Sequence, residues 1–231
     1  MEEVMSFKFH WSAKMQQAFE EFEHTMGVHR GFPIVSSTPV PSEVLEQYDG
    51  VLPKNLLACW ERHGWCGYDN GMFWTVNPND YREIIERLSA ISQLDDPSEN
   101  FVIARGAFGD LEIWNRKRGD VMSFCPVIGL LYQWHIDVKP EKTEEELESS
   151  MASFFWRASS YDQDQEDEND ELLFERALDK LGPLAENEMY AFVPATCLGG
   201  KWLLENLQKV DITTHIEMLM NLEEPNINIM R

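Results

Sequence analysis

Apolar residues stand three and four apart at Met15, Ala18, Phe19 and Phe22, with glutamates between them, which predicts an amphipathic helix between Ser12 as cap and Gly27 as stop. Three prolines in Gly31–Pro41 predict an extended connector. Ser42 is placed to cap a short helix bearing Val44, Leu45 and Tyr48, ended by Gly50. Another begins after Pro53, turns Leu56, Leu57 and Trp60 to one face, and halts at Gly64. The period then changes. Met72–Val76, aromatic and β-branched between Asn70-Gly71 and Asn77-Pro78, reads as a strand. Asn77 caps a helix whose apolar face is Tyr81, Ile84, Ile85 and Leu88, with Pro78 at its first position.

Asp95–Ser98 reads as a surface turn. Phe101–Arg105 and Leu111–Trp114 read as paired strands around Gly109-Asp110, and Val121–Val138 adds one or two more. Thr143 and Glu146 form a capping box for a further helix. Leu172–Leu181 is helical up to Gly182-Pro183, Gly199-Gly200 precedes a helix with Trp202, Leu203 and Leu207, and Asp211 caps a last one bearing Ile212, His215, Ile216 and Leu219. The class is α+β: a central, mostly antiparallel sheet with helices at both ends of the chain, arranged in one lobe or two closely packed ones. Composition shifts at Pro140, so the expected division is 1–140 and 141–231, the second part mostly helical.

A length of 231 residues suits one large domain or two small ones, and 43% hydrophobic residues suffice for a core. Charge narrows the function. Nineteen Lys and Arg against 41 Asp and Glu leave a net −22, which excludes binding nucleic acid by phosphate neutralisation and disfavours anionic membranes. The same field favours rapid capture of a basic partner. Glu2 and Glu3 stand where a signal peptide would be positive, no uncharged run reaches membrane-spanning length, and four cysteines are too few for a disulfide scaffold, so the expected location is the cytoplasm.

Candidate chemistry is sparse. His24 and His29 are five apart, Cys59 and Cys66 seven apart, and neither a Cys-x-x-Cys nor a His-Glu-x-x-His motif occurs, so no metal and no cofactor is expected. His63-Gly-Trp-Cys66 is the one local base–nucleophile pair, and it reads as a helix C-terminus from which Trp65 and Cys66 return to the core. Cys197-Leu-Gly-Gly-Lys201 lacks Walker spacing, and Arg116-Lys-Arg118 reads as a solvated hairpin turn. The densest charge is Asp162, Asp164, Glu166, Asp167, Glu168, Asp170 and Glu171, seven acids in ten residues. Self-repulsion predicts a mobile, solvated loop there. The alternative role for these seven is to contact a cationic cleft on a partner protein.

Two stretches carry a family likeness. Leu52–Tyr81, with Trp60, Gly64-Trp-Cys-Gly67, Asn70-Gly71 and Asn77-Pro78, followed by Val102–Leu111, resembles the GAD-like domain. Phe174–Ala195, Leu198-Gly-Gly200 and Glu205–His215 are similar to the C-terminal domain of type VI secretion immunity proteins. The resemblance implies a bacterial antitoxin-like protein, not an enzyme, that binds a co-encoded toxic effector and occludes it. In this family the effectors are often DNases, so the implied partner is a basic nuclease domain. The acidic run falls in the family's variable part, and no contact residue carries over. Two other readings are an acidic scaffold or adaptor binding a regulatory partner, and an enzyme using His63 and Cys66.

Overall fold

The computed structural model describes residues 8–25, 34–94, 96–158 and 164–231. In chain order these form α1 (Ala13–Thr25), β1 (Val35–Thr38), α2 (Ser42–Tyr48), α3 (Lys54–His63), β2 (Trp65–Tyr68), β3 (Phe73–Thr75), α4 (Arg82–Ile91), β4 (Asn100–Gly106), β5 (Leu111–Asn115), β6 (Gly119–Cys125), β7 (Leu130–Trp134), α5 (Glu144–Ala158), α6 (Phe174–Leu181), β8 (Glu188–Phe192), β9 (Leu207–Asp211), α7 (Ile212–Leu222) and β10 (Asn226–Met230). The fold is α+β, with helices at both ends of the chain.

Strands β1 to β7 run as a consecutive antiparallel meander, and β10 returns to lie parallel to β7, completing an eight-stranded sheet. The middle strand β4 is buried at every residue because both faces of the sheet are covered. One core packs α1, α2, α3 and α5 against Tyr68, Phe73, Ile103 and Trp114. The other packs α4, α6, α7 and the antiparallel β8–β9 pair against Trp74, Val102, Ile113 and Phe124.

Local signals act largely as the sequence suggests. Ser12 Oγ accepts from Met15 N at 3.1 Å, Asn77 Oδ1 from Asn79 N at 3.2 Å, and Thr143 and Glu146 close their capping box with bonds of 2.8 and 3.3 Å. Ser42 differs: it is the first residue of α2, and Pro41 holds the cap position without a side-chain bond. The connector after residue 33 contributes β1, whose partner β2 follows directly on α3. Gly64 makes that reversal: its φ is +72°, and a Cβ there would lie 2.3 Å from the Thr38 carbonyl oxygen.

The helix expected after Gly199-Gly200 does not form. A short 3-10 turn at Leu204–Asn206 leads instead into β9, whose register with β8 pairs Leu207 with Phe192 and Val210 with Met189. Cross-strand packing overrides a helical spacing of apolar residues. Close packing fixes the preceding turn too, since a Cβ at Gly200 would sit 1.8 Å from the Pro194 carbonyl oxygen.

Arg105 joins the central sheet to the C-terminal third. It is fully buried, its guanidinium lies 4.3 Å over the Trp74 ring, and it donates to the carbonyls of Gly106, Ala185 and Glu186 at 3.2, 3.4 and 3.0 Å. Burial lowers its pKa to about 10, which leaves it charged at neutral pH. Replacing Arg105 by Met should cost about 1–3 kcal/mol, because the Glu186 carbonyl loses its donor while those of Gly106 and Ala185 keep the N–H groups of Gly109 and Glu188. Urea unfolding measures the loss, and amide exchange should show Ala185–Glu188 opening first.

Candidate partner-binding surface

The acidic run is a built loop in its described part, and two of its own carboxylates build it. Asp164 Oδ1 accepts from the backbone N–H groups of Gln165, Leu173 and Phe174 at 2.7, 3.2 and 2.8 Å. It thereby caps α6 from ten residues upstream, where Leu173 at the cap position has no acceptor to offer. Asp167 Oδ1 accepts from Asn169 N at 2.8 Å and Glu171 N at 3.2 Å, while its Oδ2 receives Arg176 Nη1 at 2.8 Å. That bond to Arg176 holds the Asp167 carboxyl below the ordinary range. Burial pushes Asp164 the other way, against the donated N–H groups. Backbone bonds from Asp167 N to Glu171 O and from Glu168 N to Trp202 O, both 2.9 Å, fasten the loop across itself and to the neighbouring chain. The mobile loop expected from repulsion is thus corrected: charge repels, but inward-turned carboxylates satisfy N–H groups that would otherwise be orphaned.

Of the seven acids named from sequence, Asp162 lies outside the described residues. Asp164 and Asp167 are committed to the loop. Glu166, Glu168, Asp170 and Glu171 are exposed, Glu171 pairing with Arg176 Nη2 at 3.4 Å. Asp164, Glu166, Asp167 and Asp170 line a hollow of about 1000 Å³ together with Asp69, Met72, Leu172, Glu175, Arg176 and Trp202. Six of these carry carboxylates and one is basic. Asp69, Met72 and Trp202 escaped sequence reasoning because they come from the β2–β3 turn and the segment before β9, far from the run along the chain.

Behind the hollow, Gln165 Nε2 reaches Asp110 Oδ2 at 3.4 Å. Asp110 is raised by burial, and Cys125 beside it is raised above the usual thiol range by burial and by the Asp110 charge. Glu112, cross-strand from Ala104 and Ser123, is pushed up to about 7 by burial and then by Asp110.

The other candidates resolve into structure. His63 sits among the rings of Trp11, Phe19 and Tyr68 at 6.4, 5.1 and 6.5 Å, and burial lowers its pKa to about 4. Cys66 is buried beside Thr75, and burial pushes its thiol up to about 11. A neutral imidazole and a protonated thiol are the reverse of an activated pair. Arg116 and Lys117 pair with Glu99 at 3.9 and 3.1 Å in the β5–β6 turn, and Arg118 with Glu141 at 3.7 Å. His29 lies outside the described residues. Among the described residues no three His, Cys, Asp or Glu converge to hold a metal, and no helix is long and apolar enough to cross a membrane.

Two predictions follow from this geometry. Asp164→Ala should cost about 1–2 kcal/mol as a lost helix cap, whereas Glu166→Gln and Asp170→Asn should each stay within about 0.5 kcal/mol of the parent, as surface changes do; urea unfolding separates the cases. The fold favours the protonated form of Glu112, so its contribution to stability is full below its unfolded pKa near 4.5 and is lost as pH rises through 7. Glu112→Gln should therefore gain on the parent between pH 5 and pH 8, by up to about 3 kcal/mol, in unfolding curves at those two pH values.

Comparison with known proteins agrees with the resemblance read from the chain. Residues 17–126 match the family model of the GAD-like domain, and residues 148–223 match that of the T6SS immunity protein Tdi1, C-terminal. The crystal structure of Atu4351 from Agrobacterium tumefaciens shares the fold, with a TM-score of 0.74 at 20% identity over 85% of this chain and 87% of that chain. No curated protein matches the chain.

Proposed function

We propose that this chain, in which a GAD-like domain is followed by the C-terminal domain of the T6SS immunity protein Tdi1 family, is an immunity protein that binds a cognate type VI effector and neutralises it by occlusion. The observation that carries this reading is the match of residues 148–223 to the immunity-protein family. The effector is taken to be a DNase, and the site of action the cytoplasm. The working division is 1–140 for the GAD-like domain and 141–231 for the immunity domain. The protein acts without catalysis, metal or cofactor, a reading supported by the neutral His63 and protonated Cys66.

Electrostatics supports a nuclease as partner. An enzyme that grips phosphates needs a basic cleft, and a chain of net charge −22 is steered toward such a cleft at long range. Glu166, Glu168, Asp170 and Glu171 are the acids of the run whose exposure suits them to this role.

Co-expression with the toxin gene beside this chain's own gene should restore growth and yield a co-purifying complex without DNase activity. Association should slow as salt rises, because the field is screened within about 8–10 Å at physiological ionic strength, and dissociation should change little. Neutralising Glu166, Glu168, Asp170 and Glu171 together to Gln or Asn should lower the association rate severalfold in stopped-flow binding. A chain that neither binds nor protects would overturn the immunity reading, while an association rate indifferent to salt would remove the steering mechanism.

A further inference from the structure

Trp202 has a hollow on each side. Besides the acidic one, it lines a cleft of about 240 Å³ with Phe124, Val127, Ile128, Leu219 and Met220. The walls come from three chain segments held to one another. Thr196 Oγ1 donates to the Val127 carbonyl, Asn226 N donates to the Gly129 carbonyl at 2.8 Å, and the Trp202 ring packs on Phe192 with centroids 5.4 Å apart. Apolar groups stay in water at its mouth: Ile128 is 47% exposed and Leu198, beside the lining residue Cys197, is 62% exposed. A preformed, partly apolar cleft with wet apolar edges gains from being filled.

The charge around it selects the occupant. Glu223 is the one charged residue of the cleft lining, and across Trp202 lie the six carboxylates of the acidic hollow, where the single base, Arg176, is already paired with Asp167 and Glu171. A second copy of this chain would bring another −22 to the same place, and a nucleic acid would bring phosphates. A basic protein segment is complementary to both halves.

We infer that the cleft and the hollow form one docking surface for the effector, the cleft seating an aliphatic or aromatic anchor and the hollow receiving Lys or Arg side chains flanking that anchor. This rests on the immunity reading and adds to it the place and chemistry of the contact. The two halves act on different rates. The hollow governs encounter through its field, and the cleft governs residence through a desolvated anchor.

The test uses the full chain and the purified, catalytically inactivated product of the neighbouring toxin gene, with both rates measured by biolayer interferometry at low and high salt. Ile128→Asp and Cys197→Asp change exposed lining residues and add negative charge, so a weakened complex cannot arise from lost steering. Each should raise the dissociation rate about tenfold or more with little change in association. Glu166→Lys/Asp170→Lys should slow association at low salt and lose that effect at high salt. Glu20→Lys/Glu21→Lys on α1, an equal change of charge against the other core, should alter neither rate beyond the effect of net charge. Thermal unfolding checks each variant, and Ile128→Ser with Cys197→Ser replaces any Asp variant that melts early. Unchanged dissociation in the cleft variants, with the parent chain still binding and protecting, overturns this surface and leaves the immunity reading standing. Self-association of the free chain that the cleft variants abolish would assign the cleft to a second copy and overturn it equally. A parent chain that does not bind the effector overturns both.

Discussion

A guanidinium in the interior has to be met by acceptors, and Arg105 finds them in a loop some eighty residues further along the chain. The Gly106 carbonyl is local, but Ala185 and Glu186 come from the turn before β8. That turn is also tied to the opposite end of the meander, where Thr38 Oγ1 donates to Glu186 Oε2 at 2.7 Å. A buried charge with too few partners is strongly destabilising, so the sheet and the C-terminal third stabilise each other through Arg105. The closure of the sheet points the same way, because β10, the last strand, lies on β7.

This coupling places the acidic hollow. Its walls are the β2–β3 turn, the loop before α6, and Trp202, which no local sequence signal would bring together. The β8–β9 pair positions them. Tyr190 N donates to the Ala107 carbonyl at 2.9 Å, setting β8 against the β4–β5 turn, and Trp202 packs tilted against Phe192 of the same strand. A charged surface whose described loop is held by its own hydrogen bonds suits recognition, because less freedom is lost on binding.

The parts of the fold legible in sequence are those whose cause is local. Asn77-Pro78, the Thr143–Glu146 box and the Gly109-Asp110 turn act through residues a few positions apart, and each lies where its spacing implies. Strands β1, β2, β8, β9 and β10 were not legible: β1, β8, β9 and β10 are stabilised by partners elsewhere in the chain, and β2 is four residues long with a glycine inside it, too short to show a period. Leu207 and Val210 satisfy a helical spacing as well as a strand, and β8 decides between them. The candidate site was half legible for the same reason. Composition marks the acidic run, but it cannot tell an acid facing solvent from one that caps a helix ten residues away. Asp164 and Glu166 look alike in sequence and do opposite things.

That difference bears on what a large net charge can do. Like charges on one surface destabilise the compact state, and the chain carries 22 more acids than bases. Where a carboxylate turns inward, its oxygens accept from N–H donors or a guanidinium and hold the loop: at Asp167 the bond from Arg176 outweighs burial, whereas at Asp164 burial still opposes the charge. Where it faces out, as at Glu166 and Asp170, its cost is borne by the fold and is recovered only when a cation comes near. An acidic surface arranged on a scaffold of inward-turned acids thus holds unfavourable energy that a nearby cation relieves. The inward acids are what keep the outward ones together in one place.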